Sequence, residues 1–165
     1  MTWRVVGNAD PRACALYDRH YSRQTVGAPR MLAPGQKILL WKDGIGRKAD
    51  SIPGACWGVV RNVFREQWRW RNTVFRSEIV DPSSELIRIA TIATQIAWVA
   101  EYGALPVEPL TTEIDPAATA EGRSPWHEPG WCYYKAGWKL LKIVPAGHGR
   151  SEKHVLYAPD VSGGR

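Results

Sequence analysis

Three side chains that can exchange or relay protons stand side by side at His20, Tyr21 and Ser22. An imidazole changes its charge near neutral pH and can pass protons to neighbouring hydroxyl groups. The sequence predicts a helix that begins at Asp10–Pro11 and ends near Tyr21–Ser22, so the cluster stands at a helix end. It is a candidate catalytic group. From the residues alone, a capping cluster with a half-buried aromatic ring is the favoured alternative.

Two further candidates for acid–base chemistry follow later in the chain. Asp115 ends a predicted strand, Pro109–Ile114, where its carboxylate could orient or deprotonate an amine. Tyr133 lies in a predicted short helix and could donate a proton to a leaving group. The alternatives are a turn-forming aspartate and a core tyrosine.

An arginine near the start of the longest predicted helix is a candidate anion ligand. Arg88 follows Glu85 by three residues, close to backbone N–H groups that a helix start leaves free. The spacing also allows an ordinary surface ion pair between the two side chains, and spacing alone favours this alternative.

Basic and aromatic residues alternate between positions 61 and 76. Guanidinium groups pair with phosphates, and indole rings stack on exposed bases. The predicted DNA-binding residues are Arg61, Arg65, Trp68, Arg69, Trp70 and Arg71. A β-hairpin with one solvated arginine face and one core face explains the pattern equally well.

Composition narrows the class of protein. The chain has 165 residues, a net charge of +6 and nine tryptophans, which favour a polyanionic partner or a tryptophan-rich core. Its three cysteines form no CxxC pair, so we expect no disulfide framework and no zinc knuckle. No apolar stretch is long enough to span a membrane, and we expect a cytoplasmic protein.

The order of predicted elements indicates an α+β fold with a single twisted mixed sheet flanked by helices. We expect one domain over 1–165 with a disordered tail at 162–165. The predicted strands are 2–6, 37–41, 55–61, 73–80, 109–114, 138–144 and 153–157, and further helices start at Asp81–Pro82 and at Trp131.

The segment from Tyr133 to Trp138 resembles the late motif of GNAT-type acetyltransferases, in which the matching tyrosine serves as general acid. More specifically, the chain resembles the Mom family of phage DNA-modification proteins, a divergent GNAT-like group. Four features, which occur in the family's order, carry this resemblance: His20-Tyr21-Ser22, Glu85-Leu86-Ile87-Arg88, Ile114-Asp115-Pro116, and Tyr133 through Trp138.

The resemblance implies conversion of adenine in DNA to an N6-carbamoylmethyl derivative, which protects phage DNA from restriction in the host cytoplasm. It implies an active site with Arg88, Asp115 and Tyr133, and with His20 and Tyr21 nearby. It also suggests acetyl-CoA, held near Arg88, Ile89 and Ala90, and an iron ion for which His20 is a possible ligand. The glycine-rich turn that cradles the pyrophosphate of CoA in GNAT enzymes is absent after Arg88, which leaves the cofactor open.

Two other functions remain open at this stage. A GNAT N-acyltransferase of a small amine or protein would explain Tyr133, and a non-catalytic nucleic-acid-binding protein would explain the charge and the tryptophans. The oligomeric state is also open, with a homodimer as one option.

Overall fold

A computed structural model describes residues 2–121 and 123–160, which form one seven-stranded sheet with three helices among them. The predicted tail at 162–165 lies outside the described residues. In chain order the elements are β1 (Arg4–Val6), α1 (Pro11–Tyr17), β2 (Gln36–Asp43), β3 (Gly54–Phe64), β4 (Gln67–Ser77), α2 (Ser83–Tyr102), β5 (Leu110–Ile114), α3 (Trp131–Lys135), β6 (Lys139–Val144) and β7 (Lys153–Tyr157).

The sheet is mixed, with the strand order β1-β2-β3-β4-β5-β7-β6. Strands β1 to β4 form an antiparallel meander, and β5, β7 and β6 form a second antiparallel group. The two groups meet where β4 and β5 run parallel, because the α2 crossover returns the chain in the same direction. The predicted α+β fold with a single mixed sheet is confirmed.

Helix α2 follows its sequence signals closely. It begins at Ser83, after Asp81–Pro82, and ends at Tyr102, just before Gly103, whose φ of 87° is the left-handed conformation that glycine adopts readily. None of the described helices is both long enough and apolar enough to cross a bilayer.

Helix α1 is shorter than predicted. Asp10 caps its first turn by accepting hydrogen bonds from the backbone of Arg12 and Ala13, as expected. The helix ends at Tyr17 rather than near Ser22, because the chain then turns and the Asp18 carboxylate accepts bonds from Arg23 and from the Gly27 backbone. The His20 cluster therefore lies in a loop.

The basic segment is a β-hairpin. Strand β3 runs to Phe64, beyond its predicted end at 61, and β4 spans Gln67–Ser77, so the predicted strand 73–80 began and ended too late. The turn between them is Arg65–Glu66, and both residues have positive φ, 48° and 65°. Sequence reasoning missed this turn because neither residue is glycine, asparagine or aspartate.

The two faces of the sheet are covered unequally. On one face, α2 and α3 bury a core that contains Trp57, Trp98 and Trp138. On the other face, α1 packs on β3 and β4 through a smaller core that includes Leu16. This second face stays uncovered by the described helices over β5, β7 and β6.

Candidate active site

Strands β4 and β5 separate in the middle of the sheet. They pair only from Trp70–Leu110 to Asn72–Thr112, after which each strand continues without the other. A register shift between β3 and β4 leaves Thr73 outside the ladder, and such a bulge bends the strand. The opening between the strands is a cavity of about 730 Å³.

Asn72 fixes the point where the strands diverge. Its amide nitrogen donates to the carbonyl oxygens of Gly58 on β3 and Val74 on β4, at 3.0 and 2.8 Å, which are register partners next to the bulge. Its amide oxygen accepts from the hydroxyl groups of Tyr133 and Thr112. Sequence reasoning missed Asn72, although an asparagine in the middle of an arginine-rich strand is itself unusual.

The cavity collects five of the six predicted catalytic residues from distant parts of the chain. They lie on the loop after α1, the end of β5 and helix α3, and they are His20, Tyr21, Ser22, Asp115 and Tyr133. Arg71, predicted to bind DNA, also lines the cavity. Arg88 does not line it.

His20 and Ser22 form a hydrogen-bonded pair in the cavity wall. His20 Nδ1 lies 2.7 Å from Ser22 Oγ and accepts from the Ser22 backbone N–H at 3.1 Å. Because Nδ1 accepts a backbone N–H, the proton of the neutral ring belongs on Nε2. Burial, and then the nearby Arg76 charge, lower the pKa of His20 to about 4. The imidazole is therefore neutral at physiological pH, and its acceptor nitrogen Nδ1 faces the Ser22 hydroxyl group.

Asp115 is an anchor rather than a free base, which corrects its predicted role. One carboxylate oxygen accepts the backbone N–H groups of Ala117 and Ala118, and the other accepts from Ser151 and Lys153 at 2.7 and 2.6 Å. These bonds, above all that from Lys153, hold the pKa of Asp115 far below its usual range. A carboxylate so engaged is a weak proton acceptor, and it ties the loop after β5 to β7.

Tyr133 forms part of the buried cavity wall. Its hydroxyl group donates to Asn72 Oδ1 at 2.6 Å, and burial raises its pKa well above the usual value. The group keeps its proton, but that proton already has an acceptor. In this geometry Tyr133 positions the strand opening; proton donation from it requires the Asn72 bond to break.

Aromatic rings surround the cavity mouth. Tyr21 is 54% exposed and its ring stacks on His20, while Trp131 is 40% exposed and lies parallel to His127 at 4.3 Å. Trp126, between cavity-lining neighbours in sequence, is 88% exposed. Such a mouth suits a flat, conjugated ligand.

The residues predicted to bind a cofactor lie outside the cavity. Arg88 is an exposed partner of Glu85, with its nitrogen 2.7 Å from the carboxylate, which is the alternative predicted from spacing. Ala90 is fully buried in the core and cannot contact a ligand. Ile89 lies on the same helix; it is partly exposed and does not line the cavity.

The predicted DNA-binding residues divide between the two faces of the hairpin. Trp70 is only 4% exposed and packs on Trp98 of α2, so it cannot stack on a base; this prediction was wrong. Trp68 is exposed under the guanidinium of Arg61, which also pairs with Glu108. The alternation of side chains along β4 correctly separated tryptophans from arginines, but it could not tell which face α2 would cover.

Arg65, Arg69 and Arg71 lie on the other face and line a second, open cavity of about 1150 Å³, hereafter the basic groove. Its opposite wall is β6, β7 and the turn between them, which contribute Lys142, Arg150 and Lys153. The groove meets the first cavity, since Arg71, Glu113 and Lys153 line both.

The described part of the cavity does not offer a set of ligands for iron. Within residues 2–121 and 123–160, no group of three or more His, Cys, Asp and Glu side chains could hold a metal ion. The bonds of Nδ1 to the side chain and backbone of Ser22 already engage one ring nitrogen of His20, the residue predicted as a ligand.

A solved structure shares this architecture over nearly the whole chain. It is the crystal structure of the aminoglycoside 6′-N-acetyltransferase from Enterococcus faecium, with a TM-score of 0.57, 11% identity and coverage of 96% of both chains. The chain has a GNAT-like fold. No protein-family model matches the sequence, and no curated protein matches it. The narrower resemblance to the Mom family stays a prediction.

The GNAT resemblance implies coenzyme A as a cofactor. The start of α2 does not fit the pyrophosphate of that cofactor. No glycine occurs between Ser77 and Tyr102, and the residue before the helix is Pro82, which has no N–H to donate. The two cations nearest the helix start, Lys42 and Arg88, are already paired with Asp81 and Glu85 and offer no free charge to a diphosphate.

The backbone leading to α2 is also occupied. The N–H groups of Glu78 and Val80 donate to the carbonyl oxygens of Gly54 and Ile45, and Ile79 forms a β-bridge with Gly46. Residues 44–54 therefore cover the segment before the helix. A cradle of free backbone N–H groups, which a pyrophosphate requires, is not formed there.

Proposed function

We propose that this protein is a group transferase that modifies the exocyclic amine of a base in DNA. The observation that carries the proposal is the continuity of two spaces: an aromatic-rimmed cavity in the opening of the sheet, and a basic groove that shares Arg71, Glu113 and Lys153 with it. A base must leave its stack to be modified, and it then needs a cavity for its ring and cations for its phosphates.

The base would enter between the aromatic rings at the mouth, with Tyr21 and Trp131 nearest the opening. Its amine would form a bond to the transferred group, and the donor's leaving oxygen or sulfur would depart with the bonding electrons. The amine would lose one proton to Ser22 Oγ, which would pass its own proton to His20 Nδ1 at 2.7 Å. The Mom-like resemblance names N6-carbamoylmethyladenine as the expected product, and protection from restriction as its use.

Nucleoside mass spectrometry of plasmid DNA from cells expressing the protein tests the proposal. We expect a new nucleoside with the wild-type protein, its loss with His20→Gln, and its retention with Arg88→Gln, which changes an exposed side chain outside the cavity. Unmodified DNA from cells with abundant folded wild-type protein would contradict the proposal.

The fold also supports a second candidate, N-acylation of a small amine, since the Enterococcus faecium neighbour is an aminoglycoside acetyltransferase by its title. Aminoglycosides are polycations. The groove beside the present cavity carries six basic side chains and one carboxylate, so it would repel such a substrate. Transfer of label from a lysate to small amines, with DNA unmodified, would favour this second candidate.

A further inference from the structure

Two tight turns form the tips of the groove walls, and both turns carry an arginine. The first is Arg65–Glu66 between β3 and β4. The second is His148–Gly149 between β6 and β7, with φ of 49° and 74°, closed by two hydrogen bonds between Gly147 and Arg150 at 3.0 and 2.9 Å. Positive φ at both central residues gives a turn that matches the strand twist, so each tip is held firmly by its hairpin.

The basic side chains of the groove are only partly neutralised. Arg69 pairs with Glu113, and Lys153 pairs with Asp115. Among the described residues, Arg65, Lys142 and Arg150 have no carboxylate partner. These three exposed cations lie on both walls and are available to an incoming ligand.

Arg71 stands at the junction of the groove with the cavity. Its nearest carboxylate oxygen, on Glu113, is 4.0 Å away, and its Nε–H is buried with no hydrogen-bond acceptor among the described residues. A buried donor without an acceptor costs free energy, which a bound anion would recover. The junction is therefore the most favourable place for an anionic group next to the cavity.

We infer that the basic groove is a track for one nucleic-acid strand, with the β6–β7 hairpin as its second wall and a phosphate held by Arg71 at the cavity mouth. The neighbouring phosphates lie along Lys142 and Arg150 on one wall and Arg65 on the other. The base attached at the Arg71 phosphate faces the cavity. That the bound polyanion is a nucleic acid rests on the proposed function. That it binds at this surface rests on the cations of the groove.

Binding of a short single-stranded oligonucleotide, measured by filter binding over a range of salt concentrations, tests the inference. The test variant is Lys142→Gln with Arg150→Gln, which removes two cations from the second wall. The matched control is Arg30→Gln with Lys48→Gln, which removes two exposed cations outside both cavities and causes the same loss of charge.

We expect the groove variant to bind about tenfold more weakly and the slope of log affinity against log salt to fall by about 1.4, which corresponds to two lost phosphate contacts on a single strand. The control should keep its slope and lose less than about twofold in affinity. An unchanged slope in the groove variant, or an equal loss in both variants, would overturn the inference.

The result of this binding test can be distinguished from the result of the nucleoside test of the proposed function. Groove-dependent binding together with unmodified nucleosides would refute base modification and leave the track intact. Modified nucleosides together with groove-independent binding would refute the track and leave base modification intact.

Discussion

The start of α2 and the basic groove are the two regions where this fold could hold an anion, and they are built in opposite ways. The helix start has a favourable dipole, equivalent to roughly half a positive charge, but the cations beside it, Lys42 and Arg88, are each paired with a carboxylate, Asp81 and Glu85. The groove has no helix dipole but carries six basic side chains. Only the groove has an excess of basic side chains, so a shared fold does not imply a shared anion site.

Reversal of charge in the groove should give the largest effect. With Lys142→Glu and Arg150→Glu together, we expect affinity for a single-stranded oligonucleotide to fall by roughly 100-fold at moderate salt, because attraction to two phosphates becomes repulsion. The urea midpoint should not change, since both side chains are exposed. An electrophoretic mobility titration measures the affinity.

The corresponding reversal at the other region is Arg88→Glu, which changes the net charge by half as much. It should leave oligonucleotide affinity within about twofold, since this side chain is far from the proposed track. Equal losses from the two reversals would remove the distinction between the regions.

Mildly acidic pH should lower the free energy of unfolding through His20, which lies in the cavity wall. The pKa of His20 is lowered from 6.5 to about 4 in the folded protein, mainly by burial and then by Arg76. The unfolded chain therefore binds the proton more readily between these values, and stability falls as pH falls through this window. We expect a loss of about 2 kcal/mol between pH 7 and pH 5 in urea titrations.

The His20→Gln variant lacks this titration. Its free energy of unfolding should be nearly equal at the two pH values, whatever its absolute stability. The same loss in the variant as in the wild type would assign the pH dependence to other groups.

At the helix start, the expected effect is on stability and not on binding. Asp81→Asn removes the partner of Lys42, an ammonium group whose residue is only 8% exposed and whose nitrogen lies 3.1 Å from the carboxylate. We expect the free energy of unfolding to fall by about 1–2 kcal/mol, because Asp81 itself is partly solvated. Oligonucleotide affinity should stay at the wild-type value, and a large drop in affinity would contradict the division between the regions.

The smallest expected effect concerns coenzyme A. Neither the wild-type protein nor Glu85→Gln should gain thermal stability from millimolar acetyl-CoA, because the backbone before α2 is already hydrogen bonded. Differential scanning calorimetry with and without the ligand measures this. A clear rise in unfolding temperature for the wild type would show that the helix start accepts the pyrophosphate after all.

Helix α2 and the outer strands could be predicted from sequence because their signals are local. Pro82 and Gly103 bound the helix, and β6 and β7 are short segments rich in apolar residues. The hairpin turn at Arg65–Glu66 could not be predicted in this way, since it lacks the usual turn residues. Likewise Trp70 and Trp68 look alike in sequence, and only the position of α2 buries one of them.

Only some residues of the candidate site could be predicted from the sequence. His20 and Tyr133 were candidates by residue type, and only the resemblance to a family motif placed them in one site, because no spacing rule links residues so far apart. Lys142 and Arg150 gave no signal, as each is an ordinary residue of an edge strand or a turn. They become a wall only when β6 and β7 fold beside the basic hairpin.

The unequal burial of the tryptophans has an optical consequence. Six of the nine indoles are buried, which shields them from water and from dissolved quenchers. The exposed three are Trp68, Trp126 and Trp131, and the last of these lines the cavity. A base that stacks at the mouth would quench the red-shifted part of the emission and spare the blue part. Stopped-flow recording of intrinsic fluorescence would then follow entry of a base in real time, without a label on either molecule.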